Sequence, residues 1–140
     1  VWALKKETYT AEDCLVRVKN FIQPLAKYYS DISFRVDGEA PAGLELHYTK
    51  ALNLVRITQE AVSNSIKHAN PSFIIISSTQ TENKWKLTVT DDGKGFNYAS
   101  MKQDERGNGL NNMEQRAAAS GFQISISSKE NCGTEITIIT

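Results

Sequence analysis

Trp85-Lys86-Leu87-Thr88-Val89-Thr90-Asp91-Asp92-Gly93-Lys94-Gly95-Phe96 is a strand pattern that stops at two carboxylates and two glycines. Trp85, Leu87 and Val89 alternate with polar neighbours, the period of a half-buried strand. Glycine permits positive φ and, lacking a Cβ, lets another group approach the main chain. Such a strand end offers a fixed acceptor, Asp91, beside unobstructed backbone. A flat heteroaromatic ligand with an exocyclic amine suits that place. Asp-Gly is also a common turn signal and Gly-x-Gly alone is weak, so a plain turn and a ligand wall both stay open here. The segments on either side change the balance.

Upstream, residues 52–69 carry helical periodicity. At 100° per residue Leu54, Val55, Thr58, Ala61, Val62, Ser65, Ile66 and Ala69 fall on one broad apolar face. Arg56, Gln59 and Ser63 form a solvent edge, and Glu60, Asn64, Lys67 and His68 a third stripe beside the apolar one. That stripe reads either as an i,i+4 surface network or as a set of groups facing a ligand. Asn70-Pro71 ends the helix, because the residue before proline is pushed out of the α region. Downstream, a polar loop over 97–106 leads to Gly107-Asn108-Gly109 and a helix from about Leu110 to a stop at Gly121. A helix N-terminus behind glycines offers N–H groups to an anion, and Lys102 and Arg106 add charge; a simple glycine hinge explains the same residues.

The remaining chain supplies the frame. Residues 11–29 show one apolar stripe (Leu15, Val18, Ile22, Leu25, Tyr29), capped by Thr10 with Asp13, and Pro24 is expected to kink or break it. Residues 32–36 alternate as a short strand, and 37–43 is a loop. Phe73 onward pairs with the Trp85 strand across a turn at Thr81-Glu82-Asn83. Phe122, Ile124 and Ile126 alternate, turn at 129–133, and return through Thr134, Ile136 and Ile138. Five strands and about three helices predict an α/β two-layer sandwich, a mixed five-stranded sheet with helices on one face.

The 140 residues suit one domain, and 40% hydrophobic with 23% charged content is that of a soluble globular chain. Lys plus Arg and Asp plus Glu are both 16, so no nucleic-acid or membrane-surface partner held by bulk charge is expected. No apolar run spans a bilayer and no signal-peptide pattern opens the chain. Cys14 and Cys132 lack zinc spacing and read as reduced, packing-grade thiols. There is no Walker-type phosphate loop, and Asp92-Gly93 lacks the surroundings of a eukaryotic-type protein kinase.

Four elements follow in order: the Glu60/Asn64/Lys67/His68 helix, Asp91-x-Gly93-x-Gly95, Gly107-x-Gly109-Leu110, and Gly133-Thr134-Glu135 leading a last strand. This order resembles the GHKL-type ATPases, and among them the ATP-binding catalytic domain of bacterial two-component sensor histidine kinases. The run Arg56-Ile57-Thr58-Gln59-Glu60-Ala61-Val62-Ser63-Asn64-Ser65-Ile66-Lys67-His68-Ala69 looks like the N-box of the nitrate-sensor and membrane-fluidity-sensor subclass. Trp2-Ala3-Leu4 looks like the end of that subclass's dimerisation helices. Residues 1–10 are therefore expected to be the remnant of an upstream helix or linker, and 11–140 the catalytic domain.

The resemblance implies ATP and Mg²⁺ as cofactors. Asn64 would hold Mg²⁺, and Glu60 would take the acidic N-box position, with Lys67 and His68 along the phosphates. Asp91 would accept the adenine amine, Gly93 and Gly95 would make room for the base, and Phe96 would close the pocket. Gly107, Asn108, Gly109 and Leu110 would frame a short lid over 97–106, and Thr134 would support Asp91 or a water at the base. Neither His47 nor His68 matches a phospho-acceptor. The expected partners are therefore the dimerisation helices of the same protein and a response regulator, with a homodimer only for the full-length protein. The expected location is a cytoplasmic domain of a membrane-anchored parent. The alternatives are an anti-sigma-factor-type serine kinase and a non-catalytic ATP-sensing or docking module.

Overall fold

β1, Thr8–Thr10, runs straight into α1, Ala11–Tyr28, through a capping box. Asp13 N–H donates to Thr10 Oγ1 (3.0 Å) while Thr10 N–H donates to Asp13 Oδ2 (3.1 Å), so two orphan donors of the first turn are met reciprocally. The computed structural model describes residues 7–96 and 107–140, of 107 and 108 the main chain only. Pro24 does not break α1, which continues four residues past it. The proline and Asn20, whose carbonyl loses its partner, both lie on the exposed side, where water replaces the missing bond.

The other elements are β2, Ser33–Gly38; β3, Glu45–His47; α2, Tyr48–Asn64; β4, Phe73–Thr81; β5, Lys84–Asp91; α3, Gly107–Ser120; β6, Gln123–Ser128; and β7, Thr134–Ile139. The main sheet runs β2-β4-β5-β7-β6, with β2 parallel to β4 and every other pair antiparallel. This is the five-stranded mixed sheet expected. Its inward rows carry Ile74, Ile76, Trp85, Leu87, Val89, Ile136 and Ile138, all buried under the helices. The opposite rows carry Ser77, Lys86, Thr88, Thr90, Glu135 and Ser125, which water can reach. One apolar face and one wetted face explain the clean alternation of the hairpins.

Further features differ from expectation. Thr8–Thr10 pairs antiparallel with Glu45–His47 as a separate two-stranded sheet that buries Tyr9 and Leu46; three-residue strands show no period to read. α2 begins at Tyr48, not at 52, with His47 as N-cap accepting the Thr49 N–H at 3.3 Å. Its last turn widens at Ser65–Ala69 into a π-helical turn, closed by Asn70 in the left-handed region at φ 49°. The buried side of α2 also takes in Ala51 and Ile57, because α1 and α3 pack against it from two sides. Of the thiols only Cys14 is a packing residue; burial first, then the Asp13 charge, pushes it up to about 12, whereas Cys132 is exposed.

Candidate functional site

Strand register builds the floor of the site. Asp91 stands opposite Thr134, and Val89 opposite Ile136, on the inward face of β5 and β7. Continued across the sheet, the row reads Ile74, Asp91, Thr134, Ser128. Asp91 and Thr134 beside the apolar pair Val89 and Ile136 form a patch that a flat ring can cover while one edge meets a carboxylate. Asp91 is only 7% exposed. Its Oδ1 accepts the Gly93 N–H at 2.8 Å, and Oδ2 has no partner among the described residues.

Above this floor lies a cavity of about 360 Å³, within the size range of small-molecule sites. Its walls come from Asn64, Ser65, His68 and Ala69 at the end of α2, from Gly95 and Phe96 after β5, and from Gly109 and Leu110 in α3. Thus Asn64, His68, Asp91, Gly95, Phe96, Gly109, Leu110 and Thr134, singled out from sequence in four separate segments, meet at one space. Glu60 and Lys67 do not line it. Lys67 points to solvent, and Glu60 lines a second groove with Phe21, Arg56 and Arg116. The single polar stripe expected on the helix is therefore split. The π turn after Asn64 adds width to the helix and changes the direction of every later side chain.

The glycines have intramolecular reasons to be glycine. A Cβ on Gly93 would run into the Ala69 carbonyl and Cβ, and Lys94 N–H donates to that carbonyl at 2.9 Å. The loop after β5 is thus docked on the π turn of α2. Gly95 sits at φ +63°, and a Cβ there would strike the Lys129 and Gly133 carbonyls. Gly95 also lines the cavity, whereas Gly93 lies behind it. Gly107, Asn108 and Gly109 are the first three residues of α3, not a loop ahead of it. The lid expected over 97–106 lies outside the described residues, as does the Asn108 side chain.

Sequence reasoning missed two serines. Ser128 Oγ accepts the Phe96 N–H (2.8 Å), donates to the Gly133 carbonyl (3.2 Å) and lies 2.9 Å from Thr134 Oγ1. It ties the cavity wall to the floor from the end of β6. Ser65 lines the cavity with its hydroxyl buried and without a hydrogen-bond partner among the described residues. Val89 and Ile136 had a legible signal, since each lies two residues from Asp91 or Thr134 and shares its face.

Asp92 belongs to the scaffold. Its Oδ1 accepts the N–H groups of Ser72 (2.7 Å) and Phe73 (3.0 Å). Desolvation raises its pKa, but those backbone N–H bonds outweigh it and hold the carboxyl below its ordinary value. The assignment of Asp91 to the cavity and Asp92 to a neighbouring role follows the strand alternation.

The family model described as histidine kinase-, DNA gyrase B- and HSP90-like ATPase matches residues 49–140, which hold every wall of this cavity. The chain belongs to that family. Among curated relatives of this ATPase domain is the sensor protein VraS of Staphylococcus epidermidis, 37% identical over 102 residues, covering 73% of this chain and 27% of that protein. VraS of Staphylococcus aureus is 35% identical over the same length and shares. The chain thus spans about a quarter of these relatives. Among solved structures, the histidine kinase domain of the Erythrobacter litoralis blue-light activated histidine kinase superposes with a TM-score of 0.78 at 16% identity, over 98% of this chain and 69% of that one. The Acinetobacter baumannii histidine kinase AdeS gives 0.74 at 16%, over 97% and 68%. These likenesses show that the fold is the α/β fold of histidine-kinase ATP-binding domains.

Proposed function

We propose that this chain is the ATP-binding catalytic domain of a two-component sensor histidine kinase. In the intact protein it transfers the γ-phosphoryl of Mg-ATP to a histidine on an upstream dimerisation domain. The observation that carries this reading is one cavity with a buried carboxylate, Asp91, on its floor and the amide of Asn64 at its rim. Asp91 accepts the exocyclic amine of adenine through the oxygen that Gly93 leaves open, while Val89, Ile136 and Phe96 enclose the ring.

Asn64 and His68, at the α2 end, face the phosphates, and Lys67 supplies positive charge from the exposed side. Among the described residues there is no cluster of three or more His, Cys, Asp or Glu side chains that could hold a metal. Asn64 would hold Mg²⁺ through its amide oxygen, a hard ligand of the kind this cation takes together with substrate phosphates and water. Bound there, Mg²⁺ neutralises charge on the phosphates during transfer. Glu60 lies off the cavity lining but beside Gly109, where it would take the acidic N-box role of polarising the attacking imidazole. The transfer breaks the bond from the γ-phosphorus to the bridging oxygen of ADP and forms a nitrogen–phosphorus bond on histidine. The chain's work is to position and to neutralise.

The finer assignments belong to the same proposal. The N-box wording supports the nitrate-sensor and membrane-fluidity-sensor subclass. The relatives' extra length leaves room for dimerisation helices in the intact protein. A response regulator then takes the phosphoryl group, and the parent protein is membrane-anchored. No described helix is long and apolar enough to cross a membrane.

The test mixes this chain with the separately produced upstream helical domain, Mg²⁺ and γ-labelled ATP. Acid-labile, alkali-stable label on that domain is the expected result. ATP binding without label on histidine would leave a nucleotide-sensing or docking module instead, and label on a serine of an added protein would favour a serine kinase.

A further inference from the structure

Ser65 opens the π turn, is 4% exposed, and lines the cavity with a hydroxyl that has no hydrogen-bond partner among the described residues. Serine in a helix commonly returns its hydroxyl to the carbonyl one turn back. Here the Ala61 and Val62 carbonyls receive the Ser65 N–H, and Oγ bonds to neither. A buried polar atom left unmade is costly and rare in a folded chain. Its explanation lies in the space it faces.

The proton count around the cavity floor says what Ser65 can contribute. Asp91 only accepts. Ser128 and Thr134 share a contact in which either hydroxyl can donate, and the Gly133 carbonyl can also take the Ser128 proton. Of the buried polar side chains that line the cavity, Asp91 is an acceptor and Ser65 brings an O–H that no described residue takes up.

We infer that Ser65 is a base contact, donating directly or through one ordered water to the ring nitrogen beside the amine that Asp91 accepts. This rests on the nucleotide reading above. The edge of a 6-aminopurine offers that order, an N–H donor next to an acceptor nitrogen. A 6-oxopurine puts its oxygen against the Asp91 carboxylate, whereas the Ser65 hydroxyl can turn and accept the ring N–H. Asp91 therefore selects the base, and Ser65 adds affinity for it.

The experiment compares this chain and its Ser65→Ala variant by calorimetry with ATP and with 1-deaza-ATP, which keeps the amine but lacks the ring nitrogen. The expected result is a loss of several-fold to about tenfold in ATP affinity on substitution, the size of one net hydrogen bond. With 1-deaza-ATP the two proteins bind alike. The nucleotide-free melting temperature of Ser65→Ala is unchanged or higher, since the variant no longer buries an unpaired hydroxyl. Equal ATP affinity in both proteins, or the same loss with both nucleotides, overturns the Ser65 contact alone. Failure of the unaltered chain to bind ATP overturns the nucleotide reading and the contact with it.

Discussion

Gly109 lies so close over α2 that a Cβ on it would stand 2.5 Å from Glu60 Oε1, and 2.8 and 2.9 Å from the two amide atoms of Asn64. The first turn of α3 thus rests on two residues that the proposed chemistry needs. Both obstructing groups are the ends of flexible side chains, so the backbone need not move to admit a methyl group.

Gly109→Ala should therefore change function more than stability. Alanine gains about 0.5–1 kcal/mol of helix preference over glycine, which offsets the cost of swinging Glu60 and Asn64 aside. The melting temperature is expected to move little, while affinity for Mg-ATP falls by about tenfold as Asn64 leaves its position. Calorimetry with and without Mg²⁺ checks this, and unchanged Mg-ATP affinity would detach Gly109 from the site.

Asp91→Asn should abolish tight nucleotide binding and leave the fold in place. The asparagine oxygen can still accept the Gly93 N–H, but its amide nitrogen now meets the adenine amine donor to donor. Sites built on such a contact reject the mismatched partner strongly, so a loss of about 100-fold or more is expected. Near-native ATP affinity in this variant would remove Asp91 from the base-binding role.

Gly133 and Gly43 share the same φ, +76°, in different surroundings. A Cβ on Gly133 would strike the Asp91 carbonyl, whereas nothing lies within 4 Å of one on Gly43. Gly43→Ala should cost about 1–2 kcal/mol, the left-handed penalty alone. Gly133→Ala should cost clearly more, roughly 3 kcal/mol or above, because β7 and the Asp91 strand end must part. Urea unfolding of both variants measures the difference, and equal costs would mean that the Asp91 junction yields freely.

Asp92 sets an acid-side dependence. Its carboxyl is held below its ordinary value of 3.8 by the Ser72 and Phe73 N–H groups. The unfolded chain therefore binds the proton more readily than the folded one. The contribution is fully present above the ordinary carboxylate value and is lost as pH falls through the lower folded value. Asp92→Ala should be less stable than the parent by about 1 kcal/mol at neutral pH, a modest figure because the group is open to solvent. Unfolding curves taken from pH 7 downward should converge toward acid; a constant gap would mean that the residue acts by packing.

The candidate site was legible because its chemistry sits where period and punctuation are strong. Alternation through Trp85, Leu87 and Val89 puts Asp91 on the inward face and Asp92 on the other, so the two carboxylates separate without any structure. Asn64 and His68 follow from helical spacing, and Gly109 and Leu110 from the glycine-to-helix pattern. Glu60 and Lys67 stand off the cavity lining: Lys67 follows the widening at Ser65, which ideal 100° steps do not foresee, and Glu60, one turn before Asn64, faces the neighbouring groove. β1 and β3 went unread because three residues have no period and their pairing spans more than thirty positions.

Order and face were thus set by the sequence alone: five strands, the helices between them, and which aspartate looks inward. These depend on local steric and hydrophobic rules that act within a few residues. Only tertiary structure decided that Gly93 serves Ala69, that Gly95 and Gly133 yield space to other backbones, and that Ser128 joins Phe96 to Thr134. It also decided that Ser65, counted with the apolar face, holds an unspent hydroxyl inside the cavity. Each of those facts is a distance between segments far apart in the chain, and nothing local to a serine or a glycine encodes what will be packed against it.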